Sequence, residues 1–169
     1  EKNIQAAYNL DKSIPEQFLI YVSNITKGDF GPSFKYKDFT VNELILSGFP
    51  VSLTLGLSSI IVALFLGVFL GTVAGIKRNT YFDHIIMSVS LIGICVPSFV
   101  LAPILSLFFG LYLGLLPISG WNNGNILNLI LPITALSLPQ IAVISRMMRA
   151  STIETLNSNF IKTARSKGL

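Results

Sequence analysis

Charge is scarce in this 169-residue chain: Asp, Glu, Lys and Arg make up 12% of it, where a soluble domain averages about a quarter. The shortage is concentrated, with no charged residue from Leu44 to Ile76 and none from His84 to Ser145. Each stretch exceeds the roughly 20 apolar residues that cross a bilayer core. A surface helix of a soluble protein keeps a charged or polar face, which would have to be missing twice here, so a soluble reading is disfavoured. The single cysteine, Cys95, lies inside an apolar run, which excludes a disulfide framework and reads as a small residue of a membrane helix. The single histidine, His84, stands at a basic boundary. There is no cluster of acid, base and nucleophile, no metal-ligand spacing and no charge within a span for proton relay. Catalytic, metal and cofactor residues are therefore all expected to be none, and the chain is not expected to be an enzyme. No G-x-x-x-x-G-K-[ST] loop is present, so an ATP-driven step would have to come from another subunit. The start Glu1-Lys2-Asn3 carries no apolar signal region, which suggests a missing upstream segment.

What charge there is has a pattern. Residues 1–43 hold five Lys against six acidic residues, while Lys77, Arg78, Arg146, Arg149, Lys162, Arg165 and Lys167 flank the apolar segments. That is the bias of cytoplasmic loops. Scattered over several membrane boundaries, these residues do not form a nucleic-acid surface, and no nucleic-acid partner is expected. The fold class expected is all-α, a multi-pass transmembrane helical bundle in the cell (inner, cytoplasmic) membrane. Its transmembrane region covers residues 44–145, with spans at about 49–76, 85–113 and 127–145. Gly67, Gly71 and Gly75, spaced by four in the first span and preceded by Gly56, offer a close-packing face to another helix. Pro97 and Pro103 fall in the second span and Pro132 and Pro139 in the third, where neighbours can satisfy the carbonyls that proline frees. Trp121, in a polar turn without Lys or Arg, suits an interfacial anchor. Two spans separate Lys77 from Arg146, so both basic segments face the cytoplasm, and residues 1–43 and Trp121 face outside.

Within residues 1–43, the external segment, Ser13-Ile14-Pro15-Glu16 fits a capping box with proline in the first turn. Ile14, Phe18, Tyr21, Val22 and Ile25 follow helical spacing, so a short amphipathic helix is expected, with its stripe packed on the protein itself. Gly28, Gly31 and Pro32 end it.

Residues 146–169 form the remaining segment. Arg146, Arg149 and Ile153 continue the third span on one helical face. Asn157-Ser158-Asn159 then breaks the run and can cap a short basic helix starting near Phe160, with Phe160 and Ala164 on one side and Gly168 at its end.

The stretch Asn159-Phe160-Ile161-Lys162-Thr163-Ala164-Arg165-Ser166-Lys167-Gly168-Leu169 closely resembles the coupling-loop signature of the oligopeptide and dipeptide permease family of ABC importers. Gly28 to Asp38, Leu46-Ser47-Gly48-Phe49-Pro50-Val51-Ser52-Leu53-Thr54-Leu55-Gly56, Gly93 to Phe99 and Leu115 to Trp121 look like the B-type branch of that family, in the same order and spacing. The wider family carries a Glu-Ala-Ala triplet four residues before a glycine. Here Lys162-Thr163-Ala164 stands in that place, a departure similar to other peptide permeases, and Gly168 matches the glycine. The resemblance implies a membrane-spanning permease subunit of an ATP-driven importer of oligopeptides or dipeptides. ATP would be hydrolysed in a separate subunit, against which Phe160, Lys162, Thr163, Ala164, Arg165 and Gly168 would dock. It further implies a second permease subunit, two ATP-binding subunits, an external substrate-binding protein, a peptide substrate and surrounding lipid. One further span before residue 1 and two after Leu169 are expected, so residues 146–169 read as a truncated cytoplasmic coupling loop. Import of nickel or another small solute by the same family, and a structural membrane anchor that recruits a cytoplasmic partner, remain alternatives.

Overall fold

The computed structural model describes residues 12–36 and 38–168. Part of the expected external segment, residues 1–11, lies outside the described residues, as do Lys37 and Leu169. In chain order come α1 (Ile14–Thr26), α2 (Val41–Ile76), α3 (Tyr81–Cys95) and α4 (Ser98–Leu105), which runs on as a π-helical stretch, Ser106–Tyr112. A 3-10 turn (Asn122–Gly124), α5 (Ile126–Leu156) and α6 (Asn159–Ser166) follow. Among the described residues the one β contact is a single bridge between Pro32 and Thr40. The chain divides into two compact units between Ser52 and Leu53.

In the first unit, Glu16 Oε2 accepts a bond of 3.2 Å from the Ser13 N–H, and Pro15 occupies the first turn of α1. Gly28 and Gly31 end the helix with φ of 79° and 78°, a left-handed conformation that costs glycine little. The loop is then fastened by Asn42, which accepts from the Phe30 N–H at 2.9 Å and donates to the Gly28 carbonyl. A second capping box starts α2: the Thr40 N–H donates to Glu43 Oε2 at 2.8 Å, and the Glu43 N–H to Thr40 Oγ1 at 3.2 Å. The helix thus begins at Val41, before the stretch expected to span the membrane, and runs through Pro50. The apolar stripe of α1 lies exposed. None of its residues is buried, and Ile14 is 82% exposed. Polar bonds through Asn42, not apolar burial, fasten the loop that follows.

The second unit buries small side chains and turns large ones outward. Ala63, Ala74, Ala135 and Ala142 are buried with Leu131 and Ile141, while Phe65, Phe69 and Phe99 are exposed. In water such a surface would invite association. In lipid it is the expected solution, because apolar burial gives helices no advantage there and close packing of small residues must hold them together. At 1.5 Å per residue, the 36 residues of α2 and 31 of α5 extend about 54 and about 46 Å, more than the ~30 Å of a hydrocarbon core. The protein is an all-α, multi-pass membrane helix bundle.

The stretch expected as one span at 85–113 is not one straight helix. Its two halves, Tyr81–Cys95 and Ser98–Tyr112, meet at 104°. Val96, ahead of Pro97, is forced from helical into extended backbone (φ −90°, ψ 116°), and Pro97 opens the next helix. Neither half alone reaches the ~20 residues of a spanning helix. By length and composition two helices can cross a membrane, or three if the bent pair counts as one. Pro103, Pro132 and Pro139 lie inside helices that continue through them.

Candidate functional site

Two seams converge on α5. Gly67, Gly71 and Gly75 of α2 face it so closely that side chains there have no room. A Cβ at Gly67 would stand 2.7 Å from Ile144 Cβ, and one at Gly75 2.6 Å from Thr152 Cβ. At Gly71 it would collide with the Ser145 carbonyl oxygen and stand 2.6 Å from Met148 Cβ. The small residues extend upstream as Ser59 and Ala63, both buried, whereas Gly56 meets nothing within 4 Å. Because partners on α5 advance in step with residues on α2, the two helices run parallel.

The seam between α3 and α5 runs the other way, from Gly93 near Leu138 and Ala142, through Ser90, to Asp83. Ser90 Oγ and Ser145 Oγ lie 2.9 Å apart, both buried. At the end of the seam the Arg149 guanidinium grips the Asp83 carboxylate with two bonds, Nε to Oδ1 at 2.6 Å and Nη2 to Oδ2 at 2.7 Å. The Asp83 side chain is 1% exposed and that of Arg149 29%. The Asn79 N–H also donates to Asp83 Oδ2, at 2.9 Å. Planar, two-pronged and charge-assisted, this is the strong form of the ion pair.

These registers bring the Lys77–Thr80 turn and the tail after Ser145 to one end of the bundle. Lys77 Nζ sits 4.6 Å over the Phe82 ring. Arg146 and Arg149 diverge: Arg149 turns inward to Asp83, while Arg146 lines an open hollow of about 350 Å³ with Ile94, Val143, Met147 and Ala150.

From this end α5 leads into α6. The polar cluster between them acts differently from expectation, because its side chains finish α5 and do not cap α6. The Asn157 amide donates to the Ile153 carbonyl at 2.9 Å, and the Ser158 hydroxyl to the Thr155 carbonyl at 2.6 Å. Ser158 holds the N-cap position of α6 with extended backbone, without a side-chain cap bond. Gly168, at φ 87°, follows the helix in left-handed conformation. No residue of α6 is buried. Phe160 is 65% exposed, Lys162, Thr163 and Arg165 are exposed, and Ala164 is half-buried with Ile161. Phe160 and Ala164 therefore differ in exposure, although i, i+4 spacing places them on one side. The Thr163 hydroxyl is used locally, on the Asn159 carbonyl at 2.9 Å.

The Asp83–Arg149 pair has no local sequence signal, since its partners are 66 residues apart. A carboxylate in the first turn after a basic loop and an arginine within a boundary helix were the only hints.

Residues 67–169 match the family described as binding-protein-dependent transport system inner membrane component. The chain is 51% identical, over 99% of its length, to the oligopeptide transport system permease protein OppB of Haemophilus influenzae, covering 55% of that protein. It is 49% identical to OppB of Escherichia coli K12 with the same coverage. It is 38% identical, over its whole length, to the dipeptide transport system permease protein DppB of Bacillus subtilis, covering 54% of it. The chain spans about half the length of the curated relatives it matches.

Proposed function

The chain belongs to the family of binding-protein-dependent transport system inner membrane components, and from that premise we propose that it is a membrane-spanning permease part of an ATP-driven importer of oligopeptides or dipeptides. Its relatives' names supply the substrate class. The observation that carries the mechanism is α6, a short helix with no buried residue, displayed beyond the end of a 31-residue helix that reaches back through the bundle.

In this reading Lys77 and residues 146–169 lie in the cytoplasm, and residues 1–43 and the Trp121 turn lie outside. Phe160, Lys162, Thr163, Ala164, Arg165 and the Gly168 terminus form the contact with an ATP-binding subunit. Phe160 enters an apolar groove of that subunit, and the basic residues meet acidic or carbonyl groups at its rim. Closure of two such subunits on ATP pulls α6, and α5 transmits the displacement. The close seams with α2 and α3 turn that pull into a movement of packed helices. A second permease subunit completes the enclosure that polar cargo needs in lipid. An external binding protein delivers the peptide.

The test is uptake of labelled peptide by cells making the full-length protein with its candidate partner permease, ATP-binding subunits and binding protein. Uptake should require each component. Nickel uptake without peptide uptake would reassign the cargo. Recruitment of the ATP-binding subunits without any uptake would reduce the chain to a membrane anchor.

A further inference from the structure

We infer that Asp83 is a positioning residue: by gripping Arg149 it makes the α2–α3 turn, α3 and α5 move as one body, so that a displacement arriving from α6 reaches the bundle undiminished. This rests on the reading of α6 as the contact with an ATP-binding subunit. The geometry on which it stands does not.

Arg149 is the residue at which three elements meet. Its backbone carbonyl lies against α2, where a Cβ on Gly75 would come within 3.1 Å of it. Its guanidinium holds Asp83 at the start of α3, and the same carboxylate accepts from the Asn79 N–H in the turn between α2 and α3. One buried carboxylate thus fastens a turn, a helix start and a second helix. Asn79 has φ 61°, a left-handed conformation uncommon for a residue other than glycine, so the turn has one tightly defined shape for the carboxylate to fix. Beyond Arg149, α5 runs on to Leu156, and α6 begins at Asn159.

The seam between α2 and α5 is a packing of glycines against Ile144, Met148 and Thr152. Ser90–Ser145 is a single neutral hydrogen bond. The ion pair differs because two parallel bonds set direction as well as distance. Placed at the end of α5 nearest α6, it opposes the slippage that would dissipate a pull before it entered the membrane. A buried ion pair contributes little to stability compared with an apolar replacement, so this one is better accounted for by the geometry it imposes.

The test uses the full-length protein in nanodiscs and, with its partners, in proteoliposomes. Asp83→Asn keeps the shape and removes the charge. Arg149→Lys keeps the charge and removes the second bond. Spin labels at Arg78 and Thr155, both exposed, with Cys95 replaced, report the distance from the turn to the end of α5. The unaltered protein should give one narrow distance distribution, and both variants broad ones, with membrane insertion unchanged. In proteoliposomes both variants should keep ATP hydrolysis while peptide transported per ATP falls about five-fold or more, the low end of ordinary coupling between sites. A distribution for Asp83→Asn as narrow as that of the unaltered protein would overturn the inference. So would an unchanged transport-to-hydrolysis ratio. Failure of the unaltered protein to associate with any ATP-binding subunit would instead remove the reading of α6, leaving the distance measurement to decide the positioning role.

Discussion

Ser90 Oγ and Ser145 Oγ share a hydrogen bond of 2.9 Å in the buried seam between α3 and α5. Ser145 Oγ also lies 3.1 Å from the Ala142 carbonyl oxygen, a second acceptor within its reach. Each hydroxyl is removed from bulk solvent and each is satisfied. Interhelical hydrogen bonds of this kind contribute about 0.6 kcal/mol on average in a membrane protein, because the separated helices find other partners.

Ser90→Ala and Ser145→Ala should therefore destabilise the protein modestly, and the double variant by little more than one of them alone. Unfolding in mixed detergent micelles, run as a double-mutant cycle, gives the interaction energy directly. Strictly additive effects would mean that the two hydroxyls do not bond in the membrane.

Gly71 is the tightest point of the other seam. A Cβ there would meet the Ser145 carbonyl oxygen and stand 2.9 Å from the Ser145 Cα, both backbone atoms that cannot rotate away. Gly71→Ala should force α2 off α5 at a cost of about 1–3 kcal/mol, the usual range for overpacking. Gly56→Ala is the control, since nothing lies within 4 Å of its added carbon. It should be neutral or slightly stabilising because alanine is the better helix former. Unfolding measurements that rank the two variants in the opposite order would show that α2 and α5 do not pack in this register.

Topology is tested with an impermeant maleimide after replacement of Cys95. Ser119→Cys and Arg78→Cys use exposed positions with ordinary backbone, unlike Asn79 and Asn123, whose φ of 61° and 52° favour the native residue. Position 119 should label in intact cells and position 78 only after lysis. Labelling of position 78 from outside would invert the proposed arrangement.

The helical membrane class was legible because lipid imposes a crude rule, about 20 residues without charge, that survives ignorance of every contact. The start of α2 was legible in principle too, since Thr40-Val41-Asn42-Glu43 carries the same signature as Ser13-Ile14-Pro15-Glu16. What a proline does was not. Pro132 and Pro139 sit inside α5 while Pro97 turns the chain through 104°, and the difference lies in surroundings that no local pattern records. Nor was the function of the polar cluster at Asn157–Asn159 legible. Asn and Ser suit the end of one helix and the start of the next, and only geometry decides which carbonyl or N–H is in reach. The candidate site divides the same way. Gly67, Gly71 and Gly75 stand out by spacing, whereas Asp83 and Arg149 are joined only by the tertiary fold.

The proposed contact surface of α6 gives the last prediction. Ala164 and Ile161 are half-buried, so a change at either acts on the chain's own packing as well as on a partner. Phe160 is 65% exposed in the first turn of α6, and the side chain has no described hydrogen bond or ring contact to lose. An apolar ring that enters a partner's groove contributes on the order of 2 kcal/mol or more, and truncating such a residue commonly weakens an interface by ten-fold to several hundred-fold. Phe160→Ala should thus reduce association of the full-length protein with its ATP-binding subunit by at least ten-fold, with peptide uptake falling in parallel. Insertion and the stability of the α2–α5 and α3–α5 seams should be untouched. Lys162→Ala, which removes an exposed charge at the rim, should have a weaker effect that fades at high salt, because screening already reduces it. Affinity measured in detergent between purified components, at low and high salt, separates these contributions. Full affinity in Phe160→Ala would mean that the ATP-binding subunit does not grip this face of α6, and the docking proposal would then fall while the membrane fold stood.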